Sequence, residues 1–430
     1  MVTTQCCEIL NVAGARRTRK LVVLGASGSV GGSTLAFLKA CPEAEIELAA
    51  FSVHGSVDRL REILNEHNVR RAAITSLPDF ERERESLRRE FPRVEFFGGP
   101  DGSLAMIEAA VADGADTVLT AVVGAVGIQA TLLSLRLGVK VALANKETMV
   151  TAGPAIQALL APENFASDTR EQSRGSSRAS RPVILPVDSE HNAIFQVLQG
   201  LRPDHIRRVI LTASGGPFRE WPVAKIQNVS RAEVLNHPTW KMGPKITVDS
   251  AGMINKGLEL IEAHFLFTIP YADLDVLIHK DSYVHGMAET RDGGYLLCAS
   301  RPHMVFPIAH ALLYPDPVPT PHAMATPPPA WPGLAFEAVD PARYPGFALC
   351  RAAGERGGTA PAILNAANEE AVRLFLDDAI SFTGIPQLID AVLNRLPVES
   401  GTDVEIFLEA DRRARELARE AAKNPGRSRA

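Results

Sequence analysis

At 430 residues the chain is too long for one simple core, and at roughly 150 residues per domain it should divide into two or three. A composition of 46% hydrophobic and 22% charged residues excludes wholesale disorder, because a disordered chain lacks the apolar surface to offset its ordering entropy. Lys plus Arg is 45 and Asp plus Glu is 50, so the net charge of −5 gives no general attraction to nucleic acid or an anionic membrane. Any anion must be held by a local site. No uncharged apolar run reaches the roughly 18–20 residues a membrane-spanning helix needs. The five cysteines are widely spaced apart from adjacent Cys6 and Cys7, and no C-x-x-C pair occurs. That pattern argues against a disulfide framework or a structural zinc site and fits a reducing cytoplasm.

Residues 1–18 carry Arg16 and Arg17 but no apolar stretch long enough for a signal peptide, and are expected to be a disordered lead rather than a short targeting signal. From residue 19, short apolar runs alternate with helical patterns. Leu21–Leu24, Ile46–Phe51, Ala72–Thr75, Val94–Phe97, Thr117–Val123 and Lys140–Ala144 are expected strands. Ser33–Ala40, Ser56–Asn65, Ser103–Val111 and Gly127–Leu137 are expected helices. This alternation predicts βαβ units and a largely parallel sheet. Strand one runs into Gly25, Gly28 and Gly31, a G-x-x-G-x-x-G turn opening a helix. Such a turn lets the backbone approach a pyrophosphate, with Ser27 and Ser29 adding hydroxyl donors. The second strand ends Phe51-Ser52-Val53-His54-Gly55-Ser56 without the carboxylate that would bind NAD ribose, which favours NADP. His54, Ser56 and Arg59 are candidates for the extra phosphate, or ordinary surface.

Residues 168–181 are rich in Ser and Arg with little to bury, as expected of a dispensable, solvated surface insertion, with a basic docking loop as the alternative. An apolar run then ends at Asp188-Ser189-Glu190. On an extended chain Asp188 and Glu190 would face the same side. Farther on, Asn255, Lys256 and Glu259 share a helical face. Oxygen donors without thiolates suit Mg²⁺ or Mn²⁺, although a charged strand end in water explains the triplet equally well from spacing alone. Ser214-Gly215-Gly216-Pro217 ends a strand in a tight turn, and Val248–Gly252 looks like a strand-to-helix junction with Ser250 as its cap. With Asn255 and Lys256 these residues suit a phosphate monoester, or a plain turn and cap. Between them, His237–Pro244 is a loop whose Trp240 either packs on the body or closes as a lid. Prolines from Pro315 to Pro332 predict an extended linker, and helices are expected over Pro361–Leu376, Ile385–Leu396 and from a Thr402/Glu405 capping box onward.

Six blocks together resemble one family, the 1-deoxy-D-xylulose 5-phosphate reductoisomerases. They are GASGSVGGST (25–34), ALANKE (142–147), PVDSEHNAIFQ (186–196), LTASGGPFRE (211–220), HPTWKMGPKITVDSAGMINKGLELIEAH (237–264) and PAILNAANEEAV (361–372). The resemblance spans residues 19 to 420 or so. It implies an α/β protein with three parts: a Rossmann-like NADP-binding domain (19–186), an α+β catalytic domain (187–312), and, after a linker (313–345), a helical domain (346–430). It implies NADPH, a divalent cation (Mg²⁺, Mn²⁺ or Co²⁺), a phosphorylated substrate and a homodimer, without nucleic acid or membrane. By motif, Asp188, Glu190 and Glu259 would ligate the metal. Ser189 would meet the substrate's hydroxyl end, and Ser214, Ser250, Asn255 and Lys256 its phosphate. His237 and Trp240 would belong to the closing loop. Lys146 would lie near substrate and nicotinamide, with Ser27, Gly28, Ser29, Val30, Asn145, Glu147 and Gly243 on the cofactor. Lys146, Asp188, Glu190, Glu259 and His237 would form the catalytic set. Gly252 departs from the family's usual Thr. The rival readings are another NADP-linked oxidoreductase of a small polar substrate, and a non-catalytic nucleotide sensor.

Overall fold

The computed structural model describes residues 18–122, 124, 127–161, 183–240, 242–318, 330–331 and 333–423. The expected lead, the 168–181 insertion and most of the proline-dense stretch lie outside them. The first sheet holds β1 (Arg19–Leu24), β2 (Ile46–Val53), β3 (Arg71–Ile74), β4 (Glu95–Gly98), β5 (Thr117–Thr120), β6 (Lys140–Leu143) and β7 (Ile184–Pro186). Its order is β4-β3-β2-β1-β5-β6-β7, and every pairing is parallel. The intervening helices are α1 (Ser29–Ala40), α2 (Val57–Glu66), α3 (Leu77–Glu90), α4 (Gly102–Ala112), α5 (Gly127–Arg136) and α6 (Lys146–Leu160).

The apolar run of β1 explains why this sheet is buried on both faces. Leu21 and Val23 join the core under α1 and α2, whereas Val22 and Leu24 join the core under α4 on the other side. Two helices escape the sequence pattern for physical reasons. Only Leu87 of α3 is fully buried, and ion pairs such as Arg61–Glu83 tie its charged surface down, so it shows no apolar stripe. Helix α6 contains Gly153 and Pro154 and is kinked at Ala152.

The chain then builds α7 (Ser189–Gln199) and a second, mixed sheet. Its strands are β8 (Ile206–Ala213), β9 (Leu274–Ile278), β10 (Val284–Thr290), β11 (Tyr295–Ala299) and β12 (Glu337–Ala338), in the order β11-β10-β8-β9-β12. Helices α8 (Val223–Ile226), α9 (Arg231–Val234), α10 (Pro244–Ala251) and α11 (Ile254–Phe267) lie between β8 and β9. After β11, α12 (Val305–Leu313) returns to the first sheet and packs with α1 in its core. The described part of the expected linker is tied to the body of the fold: β12 pairs with β9, and Tyr344 is buried with its hydroxyl donating to the Gly215 carbonyl at 2.8 Å. Helices α13 (Pro345–Arg356), α14 (Ala360–Leu376), α15 (Gly384–Arg395) and α16 (Val404–Lys423) complete the chain. At the start of α16 it is Asp403, not Thr402, that takes a helix amide, from Glu405. One continuous core joins α5, α6, α10, α11 and the C-terminal helices, so helices of the first sheet and the C-terminal helices share their burial.

His285 on β10 is buried, with Nε2 3.1 Å from the Ser300 carbonyl and 3.0 Å from Ser300 Oγ. Burial pushes it down to about 4, below the unfolded value of about 6.5. Between these values the unfolded chain binds more protons, so the contribution is complete above the unfolded pKa and is lost as pH falls toward the folded one. From pH 7 to pH 5 that loss is about 2 kcal/mol. Chemical denaturation at both pH values should show His285→Asn losing less stability than wild type by about that amount; equal losses would clear His285 of the effect.

Candidate functional site

The glycine turn sits where β1 ends between β2 and β5, the point at which the strand order reverses. In doubly wound sheets the crevice beyond the strand ends at this point accepts ligands. Gly25 has φ +78°, and a Cβ there would lie 2.5 Å from the Ala121 carbonyl oxygen. A Cβ on Gly31 would lie 2.4 Å from the Gly25 oxygen, so the helix packs onto the strand only with glycine. Helix α1 starts at Ser29, four residues earlier than the apolar pattern suggests, with Gly28 as its cap and no side chain on its first amides. Ser27, Gly28 and Ser29 are exposed there and Val30 is half-buried at the edge of the core. His54 is not free: its Nδ1 pairs with Thr75 Oγ1 at 3.0 Å, and Arg59 pairs with Glu62.

Asn145 is buried and acts on the same crevice indirectly. Its Oδ1 caps α6 by accepting from the Thr148 amide at 2.8 Å, and its Nδ2 donates to the Gly124 carbonyl at 2.8 Å. Glu147 is likewise buried, receiving an ion pair from Lys245 at 3.1 Å, and the lysine holds its carboxyl below the usual range against the opposing effect of burial. Both side chains are thus engaged within the protein, Asn145 at the start of α6 and Glu147 with Lys245 of α10. Gly243 is the exposed cap residue of α10, and its carbonyl accepts from the Thr247 amide and hydroxyl.

Asp188, Glu190 and Glu259 converge as expected, their carboxylate oxygens within 4.8 Å of one another. The local structure differs from the extended reading. Strand β7 stops at Pro186, Asp188 caps α7, and Ser189 and Glu190 lie in its first turn. Glu259 comes from α11 and is almost fully buried. Two lysines thread the cluster. Lys146 Nζ lies 2.7 Å from Asp188, 3.0 Å from Glu259 and 2.8 Å from Asn255 Oδ1. Lys256 Nζ lies 2.7 Å from Glu190 and also meets Glu259. Lys256 thus faces the carboxylates, not the Ser214 turn to which the motif assigns it. Asn255 donates to Glu259, and Ser189 to Glu190.

Burial disfavours the charge on Lys146, but Asp188 and Glu259 outweigh it and hold its pKa well above the ordinary value. Burial also opposes the charge of Asp188, yet Lys146 keeps that carboxyl well below the usual range. Burial pushes Glu190 up to about 8; Lys256 opposes this, and Glu259 and Asp188 add to it. The three carboxyl groups supply the oxygen donors, and a bound cation would draw Glu190 back to its ionised form. An all-oxygen, partly accessible donor set from two helices fits a hard divalent ion. A second grouping, Asp188, His191 and Glu262, is more deeply buried. His191 Nε2 lies 2.8 Å from the Glu259 carbonyl and Nδ1 lies 3.3 Å from Glu262, so it braces α7 against α11. Sequence reasoning missed this pair, although Glu262 stands one turn beyond Glu259 on the same face.

Ser214 follows β8 in a turn where Gly215 and Gly216 have φ of +78° and +68°. A Cβ on Gly216 would lie 2.7 Å from the Ser250 carbonyl, so only glycine lets this turn meet α10. Ser250 belongs to the last turn of α10, not to a strand end. A Met253 residue at φ 57° then turns the chain into α11, which carries Asn255. His237 Nδ1 accepts from the Thr239 and Trp240 amides at 3.1 and 2.9 Å, which places the ring proton on Nε2, 3.1 Å from Ser214 Oγ. Burial, aided by Arg219, pushes His237 down to about 4, so the ring is neutral at physiological pH. Ser214 Oγ also accepts from the Gly216 amide, which leaves its own hydrogen to point at a ligand. Trp240 is half-buried beside this histidine.

Three family models match the chain in order: 1-deoxy-D-xylulose 5-phosphate reductoisomerase over residues 21–153, and two C-terminal domains of that reductoisomerase over 184–267 and 299–417. A 1-deoxy-D-xylulose 5-phosphate reductoisomerase of Leptospira interrogans is 44% identical over 402 residues, covering 94% of this chain and 97% of its own. One from Listeria welshimeri is 39% identical over 397 residues, covering 92% and 98%. A Zymomonas mobilis reductoisomerase solved in complex with NADPH aligns with TM-score 0.81 and 35% identity, covering 95% of this chain and all of that one. A DOX-P reductoisomerase solved with NADPH, fosmidomycin and magnesium aligns with TM-score 0.84 and 32% identity, covering 95% and 99%. With its glycine turn, carboxylate cluster and hydroxyl-lined turn all in place along a matching chain, the protein belongs to the 1-deoxy-D-xylulose 5-phosphate reductoisomerase family.

Proposed function

We propose that this chain isomerises and reduces 1-deoxy-D-xylulose 5-phosphate to 2-C-methyl-D-erythritol 4-phosphate, using NADPH and a divalent cation, in isoprenoid precursor synthesis. The observation that carries this reading is the contiguity of two sites. Helix α11 bears Glu259 of the carboxylate cluster and, one turn earlier, Asn255, while Ser250 and the Ser214 turn adjoin its start.

A bound cation would supply Lewis-acid stabilisation of the oxygen charge that develops as the ketose C–C bond breaks, and NADPH the hydride for the second step. Asp188, Glu190 and Glu259 are the residues to hold that cation. Lys146, kept charged by Asp188 and Glu259, places a fixed ammonium beside the reacting oxygens. Ser214, Ser250 and Asn255 hold the phosphate. Lys256 lends its charge from the carboxylate side. Ser189 meets the hydroxyl end. These groups keep the separated fragments from diffusing apart, an effective-concentration role. His237 orients the Ser214 hydroxyl, and Trp240 covers the site. The glycine turn with Ser27, Gly28, Ser29 and Val30 cradles the pyrophosphate, while Asn145, Glu147 and Gly243 support the surrounding turns.

The protein is proposed to be a homodimer. Strand β11 is the outer edge of the second sheet and exposes Tyr295, Leu296 and Leu297, an apolar edge that a second copy would cover. A cytoplasmic location is supported by the free cysteines Cys41, Cys298 and Cys350. Among the described residues no helix is long and apolar enough to cross a membrane.

Purified protein with Mn²⁺ or Mg²⁺ and 1-deoxy-D-xylulose 5-phosphate should consume NADPH, followed by its absorbance; folded protein without metal-dependent turnover would refute the assignment. Asp188→Asn and Glu190→Gln should each lower turnover by about 100-fold or more, with the NADPH dissociation constant unchanged in a fluorescence titration. Unaltered turnover in both variants would remove these residues from the metal site. Gly31→Ala, which drives a Cβ into the Gly25 carbonyl, should weaken NADPH binding about tenfold and leave Mn²⁺ binding intact. Light scattering should give twice the 46.3 kDa of one chain, and Leu297→Glu should return the mass toward that of a monomer.

A further inference from the structure

The block PAILNAANEEAV lies on α14, in the C-terminal helices, and neither the metal nor the cofactor explains its polar residues. Asn368 from this block is fully buried. Its Nδ2 donates to Asp249 Oδ1 at 3.0 Å. Asp249 is also fully buried, and its other oxygen, Oδ2, pairs with Lys245 Nζ at 2.8 Å. Lys245 reaches on to Glu147 of α6, the residue after Lys146. One carboxylate thus has each oxygen committed to a different partner, and the partners come from α14 and from α10 itself.

This matters because of what α10 is. The helix has eight residues, begins in an exposed loop at Gly243 and ends in the turn at Gly252 and Met253. It buries only Thr247, Val248, Asp249 and Ala251, so little apolar packing fixes its rotation. Ser250 directly follows Asp249, about 100° around the helix axis. Fixing Asp249 against α14 therefore fixes the direction in which Ser250 points. Asn suits the task because it supplies a donor without a charge, leaving the Asp249 charge for Lys245.

We propose that Asn368 is a positioning residue for substrate phosphate, acting from the C-terminal helices through Asp249 to aim Ser250. The inference rests on the reading of Ser250 as a phosphate contact. Removing the amide frees α10 to rotate and weakens the hold on the phosphate, without touching the metal carboxylates or the glycine turn.

The test compares full-length wild type, Ser250→Ala and Asn368→Ala in steady-state turnover, with inorganic phosphate as the competitive probe. Asn368→Ala should raise the KM for the phosphorylated ketose and the Ki of inorganic phosphate together, by about fivefold or more, with kcat and the NADPH dissociation constant within twofold of wild type. A merely structural role would lower the active fraction, and hence kcat, while leaving KM and Ki in place; that result overturns the proposal. If Asn368→Ala does not accumulate as folded protein, Asn368→Ser, which stays polar but is too short to reach Asp249, carries the same expectation. If Ser250→Ala raises Ki and the Asn368 variants do not, the positioning role fails and the phosphate assignment stands. If Ser250→Ala leaves Ki unchanged, the phosphate assignment fails and the inference falls with it.

Discussion

Everything in this structure is arranged around three carboxylates that electrostatics would drive apart. Asp188, Glu190 and Glu259 lie within 4.8 Å of one another and are mostly buried, a placement that is unfavourable unless opposite charge is built in. Lys146 and Lys256 supply that charge. Three segments carry these residues: the start of α6, the cap position and first turn of α7, and α11. Holding them at hydrogen-bond distance requires the first sheet, the second sheet and the C-terminal helices to be packed as one body. Two cores meet that requirement: one runs through α5, α6, α10, α11 and the last four helices, and the other packs the second sheet against α7 and α11.

The same constraint accounts for the glycines. At Gly31 a helix must sit on a strand, and at Gly216 a turn must reach the Ser250 carbonyl; a Cβ in either place would collide with backbone. It also accounts for the buried polar groups. His191 Nε2 lies on the Glu259 carbonyl, and Asn145 joins the Thr148 amide to the Gly124 carbonyl, so these buried polar atoms find partners where water is excluded. His237 shows how far this goes: two backbone amides fix its tautomer, and the tautomer decides which way the Ser214 hydroxyl can point.

Much of this was legible in the residues. The apolar runs Leu21–Leu24 and Lys140–Ala144 marked parallel strands because a sheet covered on both faces needs apolar residues at every position. Glycine spacing marked the cofactor turn, and the Asp188, Glu190 and Glu259 set emerged from carboxylate spacing and motif. Helix α3 was not legible, because its burial is confined to Leu87 and its surface is ion-paired. Helix α6 was hidden by Gly153 and Pro154. Strand logic misplaced Asp188 to Glu190 and Val248 to Gly252, because whether a chain continues as strand or turns into helix there depends on what packs against it.

The sequence by itself determined the alternating α/β class of the first domain, the residue types of the site and the family, since each is carried by local patterning and by blocks of adjacent residues. Tertiary structure decided which groups share a charge. Lys256 belongs by motif with the phosphate residues, yet its ammonium lies on Glu190 and Glu259, because burial makes the nearest carboxylates its strongest partners. Glu147 turns to Lys245 and Asn368 to Asp249 for the same reason. The Lys256–Glu190, Lys245–Glu147 and Asn368–Asp249 pairings join residues 66, 98 and 119 positions apart, and Coulomb and hydrogen-bond energies depend on distances in space that no local pattern encodes.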